Sequence, residues 1–195
     1  MSGQIGARAV AIARAAIESE VSGKPFPHLP DDGRFGESSG AFVTLKTYPG
    51  GDLRGCIGYP MPVFPLARAV ELSARSACHD PRFPDLGRSE LGSVTVEVTV
   101  LTVPEPVTAS CPDDLARSVG VGRDGLMLEL GPYRGLLLPQ VPAEQGWDAV
   151  EYLEGLSVKA GLPRDAWRHP DARICRFEGE IYHESEPRGS VERGE

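Results

Sequence analysis

No run of about 18 apolar residues occurs anywhere in these 195 residues, so the sequence contains nothing that reads as a membrane-spanning helix. Positive charge is also scarce. Twenty Lys and Arg stand against 28 Asp and Glu, a net charge of −8, and a chain with that deficit lacks the basic face that binding to a phosphate backbone requires. Nucleic acid is therefore excluded as a partner class. Cysteine is sparse: Cys56, Cys78, Cys111 and Cys175 are far apart and form no C-x-x-C pair. The histidines, His28, His79, His169 and His183, show neither H-x₃-H nor HExxH spacing, so no metal site can be read from the sequence. A chain of this length buries roughly 70% of its unfolded surface without covalent staples, and unpaired cysteines then fit a reducing compartment. Met1-Ser2-Gly3-Gln4 lacks the basic start and apolar centre of a signal peptide, and the expectation is a cytoplasmic protein.

What is present is organised around Gly51-Asp52-Leu53-Arg54-Gly55-Cys56-Ile57-Gly58-Tyr59-Pro60. Gly50-Gly51-Asp52 reads as a hairpin tip, with 41–48 and 53–59 as its strands. The pattern occurs again. Gly125-Leu-Met-Leu-Glu-Leu-Gly131 followed by Pro-Tyr-Arg134-Gly135-Leu-Leu-Leu-Pro139 repeats the order strand, turn, Arg-Gly, apolar strand, proline. Helical patterns follow both hairpins, at 65–77 and 147–160, and each leads to a strand, at 93–102 and 174–182. Another helix is expected over 6–21, and a short one over 112–119.

These elements predict an α+β fold with internal duplication of a helix, β-hairpin, helix and strand unit. The expected form is two subdomains with mainly antiparallel sheets and a cleft between them. The domain spans 5–183, with a first half over about 5–103 and a second over about 111–183. Residues 184–195, rich in Glu, Arg, Ser and Gly, read as a disordered tail. Phe83, inside the irregular Asp80-Pro-Arg-Phe-Pro84, is expected to anchor that segment in the core.

Six stretches, Leu53-Arg-Gly-Cys-Ile-Gly58, Asp80-Pro-Arg-Phe83, Val96-Glu-Val-Thr-Val-Leu101, Leu137-Leu-Pro-Gln-Val141, Gly146-Trp147 and Lys159-Ala-Gly-Leu162, together resemble the AMMECR domain family. The resemblance keeps the family's order and covers residues 7–182. It implies a duplicated α+β fold in two subdomains. No reaction is assigned to the family. Its genes in prokaryotes often adjoin those of a Memo-like protein and a radical-SAM protein, which implies a shared pathway and these two as partners. Many members carry a cysteine two residues before Lys-Ala-Gly-Leu, where this chain has Ser157.

Cys56 is the foremost candidate for chemistry, as a thiolate nucleophile or ligand; the competing reading is a small buried hydrophobe. Arg54 lies two residues away on the same strand, hence on the same face, and either assists the thiol, binds an anion or bonds loop carbonyls. Gly55 and Gly58 permit close approach of a ligand or of other protein. They belong to no phosphate loop, since the Gly-Lys-Ser/Thr ending is missing. Glu97 is a general base or metal ligand if its face meets the cleft, and otherwise a solvated strand residue. Gln140 is a binding candidate at the mouth of the same cleft, or satisfies loop backbone. His79 is either catalytic or a helix C-cap.

The catalytic set read from the sequence is Cys56 and Glu97, the binding set Arg54, Gly55, Gly58 and Gln140, with no metal ligands and no cofactor named by any motif. Two functions follow from different classes. One is binding or acting on a small molecule or modified peptide at the Arg-Gly-Cys strand. The other is a non-enzymatic adaptor that presents this surface to a protein partner.

Overall fold

The computed structural model describes residues 2–30 and 32–194. The chain forms two compact units, Met1–Leu101 with Glu180–Glu195, and Thr102–Gly179. Each carries an antiparallel sheet with helices, so the fold is α+β.

The first unit begins with α1 (Ser2–Ser22), followed by the hairpin β1 (Ala41–Thr47) and β2 (Leu53–Tyr59), then α2 (Leu66–Ala77) and β3 (Val94–Leu101). Val94, Val96, Val98 and Val100 alternate on β3 and are all at most 2% exposed. With Val43 and Leu45 of β1 they form one sheet face, and Ala9, Ala13 and Ile17 of α1 with Ala69, Val70 and Ala74 of α2 complete the core against it. The opposite face carries Thr44, Lys46, Cys56, Thr95 and Glu97. Strand order is β2-β1-β3-β8-β9, where β8 (Gly179–Glu184) and β9 (Val191–Arg193) come from the end of the chain.

The second unit holds β4 (Glu105–Pro106), α3 (Pro112–Ser118), β5 (Gly125–Leu130), β6 (Tyr133–Leu137), α4 (Gln140–Gln145), α5 (Ala149–Lys159) and β7 (Arg173–Phe177), in the strand order β4-β7-β5-β6. Its core joins Leu126 and Leu128 to Leu153, Leu156, Trp167 and Ile174. Asp148 caps α5 by accepting from Val150 N and Glu151 N at 2.8 Å, and Glu151 returns a bond to Asp148 N.

Both units contain helix, hairpin, helix and strand, and the orders β2-β1-β3 and β6-β5-β7 match. That recurrence is one of topology; it does not establish a duplication.

Three expectations differ from the structure. The strand expected over 174–182 is two strands in two sheets, broken at Glu178, whose N–H donates to Thr102 Oγ1 at 2.8 Å while its carbonyl accepts from Thr102 N at 2.8 Å. The tail read as disordered includes β9, which pairs Tyr182, His183 and Glu184 with Arg193, Glu192 and Val191; a polar strand can be held by backbone hydrogen bonds and needs no apolar side of its own. Glu195 lies outside the described residues. Finally, Phe83 is half-buried rather than a core anchor, with the guanidinium carbons of Arg82 and Arg54 at 5.7 Å and 6.0 Å from its ring centroid. Leu86 is the buried apolar residue of that segment.

Candidate functional site

β2 is the edge strand of the first sheet, and β1 is its one partner. Cys56 is opposite Thr44, and Thr44 is in turn opposite Glu97 on β3, so three strands line up Cys56, Thr44 and Glu97 in one cross-sheet row. Thr44 Oγ1 donates to Cys56 Sγ at 3.3 Å. Glu97 accepts from Lys46 Nζ at 2.8 Å. Cys56 is half-buried and forms no disulfide.

The outer edge of β2 is closed at Cys56 by side chains. Asp80 Oδ2 accepts from Cys56 N at 2.9 Å, and Arg82 Nη2 donates to Cys56 O at 3.4 Å. Arg82 is bound to the same carboxylate, Nε to Oδ1 at 3.0 Å and Nη2 to Oδ2 at 2.7 Å, and its backbone N–H donates to Oδ1 at 3.0 Å. The Asp80 side chain is 1% exposed and that of Arg82 56%. Hydrogen bonds from Arg82, above all, hold the Asp80 carboxyl far below the usual carboxylate range. Such a depressed group stabilises the fold fully above its unfolded value of about 4 and loses that contribution as pH falls through the folded value. The stability gap between the protein and Asp80→Ala, measured by urea unfolding across pH, should therefore be widest near neutrality and shrink below about pH 4; a gap independent of pH would contradict this assignment.

Arg54 sits elsewhere than simple alternation implies. Leu45 is opposite Gly55 while Lys46 is opposite Leu53, so Arg54 is the extra residue of a β-bulge. Its Nε donates to Glu90 Oε1 at 2.8 Å and its Nη2 to Glu90 Oε2 at 3.1 Å, and the side chain is 12% exposed. Both candidate glycines are accounted for by packing. A Cβ on Gly55 would lie 2.4 Å from Ala77 O, and one on Gly58 would lie 2.1 Å from the Phe42 ring. Gln140 opens α4 in the second unit and is exposed. The structure thus joins Cys56 and Glu97 through Thr44 and ties Arg54 to Glu90.

His79 lies between Asp85, at 3.0 Å, and Glu20, at 3.2 Å, which together raise its pKa. With Glu20, Ile57, Arg75 and Ser76 it lines a cavity of about 450 Å³. Ser157 is fully buried, donates to Leu153 O and accepts from Trp167 N, so it serves the core of the second unit. Among the described residues no group of three or more His, Cys, Asp or Glu is placed to hold a metal ion, and no helix is long and apolar enough to cross a membrane.

Sequence reasoning missed Asp80 and Arg82 as parts of the site. The signal was present in Asp80-Pro-Arg-Phe83, an irregular segment with two charges immediately after a helix. The same segment contributes to a decisive comparison, because a sequence model of the AMMECR1 family matches residues 10–182.

The chain belongs to the AMMECR1 family. Protein MJ0810 of Methanocaldococcus jannaschii is 49% identical over 187 residues, covering 95% of this chain and 93% of that relative. An Aquifex aeolicus relative is 47% identical over 161 residues, covering 82% of each chain. The crystal structure of uncharacterized protein PH0010 from Pyrococcus horikoshii superposes with a TM-score of 0.77 at 42% identity, covering 98% of this chain and 97% of that one. The PH0010 protein thus shares this fold across nearly its whole length, and the names of these relatives carry no activity.

Proposed function

We propose that this AMMECR1-family protein binds or acts on a small molecule or modified peptide on the open face of its first sheet, with Cys56 as the working group. The observation that carries this reading is the row Cys56–Thr44–Glu97, which sets a half-buried cysteine beside a hydroxyl, with a lysine-paired carboxylate one strand further on. A purely structural cysteine is more often buried among apolar side chains, as Cys78 is here at 1% exposure. A thiol in this setting can attack an electrophilic carbon or sulfur, with Glu97 or Lys46 available to move a proton. The pathway of Memo-like and radical-SAM proteins is the proposed context.

A second reading is supported by Tyr48 and Leu53, each 42% exposed at the tip of the same hairpin. They suit an adaptor that presents this edge to such a partner. Cys56→Ala separates the two: loss of pathway activity with partner binding intact favours chemistry, and loss of partner binding favours the adaptor.

Iodoacetamide labelling of the native protein, followed peptide by peptide, tests the first reading. Cys56 should react on the timescale of exposed Cys111. It should also outpace Cys78, whose thiol burial pushes up to about 12, by at least about a hundredfold at pH 8. A Cys56 that stays unlabelled until denaturation would sink the reading.

A further inference from the structure

An edge strand exposes N–H and C=O groups that must find water or a substitute. At Cys56 the substitute is a side-chain pair. The Asp80 carboxylate takes the N–H and the Arg82 guanidinium serves the carbonyl, so the two occupy the place of a neighbouring strand's peptide group at this one residue. Asp80 is buried and held by four hydrogen bonds, three of them from Arg82, and so fixes the guanidinium as firmly as it fixes the strand. Two nitrogens of that guanidinium, Nε and Nη2, are engaged, while Nη1 has no hydrogen-bond partner among the described residues. The side chain is more than half exposed, and its Nη2 reaches the carbonyl of the residue that carries the thiol at 3.4 Å. Arg54 binds Glu90 through the same two nitrogens, but its side chain is only 12% exposed.

We propose that Asp80 and Arg82 are the positioning residues of the Cys56 site, fixing the β2 edge and setting at the Cys56 main chain a guanidinium that selects ligands bearing a carboxylate or phosphate group. This rests on Cys56 being the working group. The N–H groups of Nη1 can donate to either oxyanion, and an orientation already fixed by Asp80 costs a ligand little ordering.

The test compares iodoacetate with iodoacetamide on the full chain. In both reactions the thiolate attacks the methylene carbon and iodide leaves; only iodoacetate carries a carboxylate. The ratio of the two rates at Cys56 cancels differences in thiol ionisation and general access. In Arg82→Gln that ratio should fall by about two- to fivefold, the size of one exposed charge contact. Arg82→Lys, which keeps the charge and leaves Asp80 paired, should restore most of it, and the ratio at Cys111 should not move. Hydrogen exchange at the Cys56 amide reads the clamp separately, and Asp80→Ala should accelerate it at least about tenfold. A ratio unchanged in a folded Arg82→Gln, or an amide unaffected by Asp80→Ala, overturns the positioning role while the thiol reading stands. A native Cys56 inert to both reagents removes that reading and this inference with it.

Discussion

Replacing Glu184 by glutamine is expected to lower the unfolding free energy by about 3–5 kcal/mol, the cost of leaving a buried charge without its partner. Glu184 ends β8 with its side chain 3% exposed, against an Arg14 side chain 9% exposed. Arg14 Nε donates to Oε1 at 2.9 Å and Nη2 to Oε2, while Val96 N donates to Oε2 at 3.0 Å. The same guanidinium also serves Val94 O at 2.8 Å and Leu91 O at 3.3 Å. One ion pair therefore ties α1, β3, the turn before β3 and the last part of the chain into one core. Glutamine keeps the shape and part of the hydrogen bonding, so the loss reports the charge rather than a cavity. Arg14→Met with Glu184→Leu removes both charges and should cost less than either single change. Urea unfolding of the parent, Glu184→Gln, the two single variants and the double variant measures this. A single-variant loss under about 1 kcal/mol would mean that water reaches the pair and that the C-terminal strands are held by their ladders alone.

That ion pair also marks the limit of what the sequence discloses. Local signals are legible where local physics decides: valines at every second position of 94–100 make a strand with one buried face, and glycines with Asp52 turn a hairpin. Glu184 and Arg14 are 170 residues apart, and the composition around Glu184 is polar, so the segment reads as disorder until its distant partners are known. The break at Glu178 is hidden for the same reason, since the alternation from Ile174 to Tyr182 continues through it and the pairing with Thr102 is long-range. α4 was not expected because it is six residues long and follows Pro139 directly.

The site shows the same division. In the sequence Cys56 and Glu97 are separate candidates, and only the register through Thr44 makes them one row. The sequence sets Arg54 beside Cys56 because residues i and i+2 share a strand face. That rule assumes an unbroken pleat, and the bulge at Leu45/Lys46 interrupts it between Arg54 and Cys56. The cation that meets Cys56 comes instead from Arg82, 26 residues along the chain. Its approach depends on α2 ending where it does, so that Asp80 reaches the strand edge.

The position of α2 against β2 is set in turn by Gly55, and Gly55→Ala is expected to cost about 3 kcal/mol, at the upper end of overpacking losses. The added Cβ would stand 2.4 Å from Ala77 O and 3.6 Å from Asp80 Cβ. The first neighbour is main chain at the end of a helix and has no rotamer to escape into. Gly58→Ala should cost less despite its 2.1 Å approach, because the atoms it meets belong to the Phe42 side chain, which can turn. Gly92→Ala is the internal control, with nothing within 4 Å of its Cβ, and should stay within about 0.5 kcal/mol. Strand and helix must separate to admit the Gly55 methyl, and separation lengthens the bond from Cys56 N to Asp80. Thermal unfolding with hydrogen exchange at the Cys56 amide should therefore show lost stability and lost protection together. If Gly55→Ala costs no more than Gly92→Ala, β2 and α2 have slack between them, and the guanidinium of Arg82 is not held against the Cys56 carbonyl by the fold.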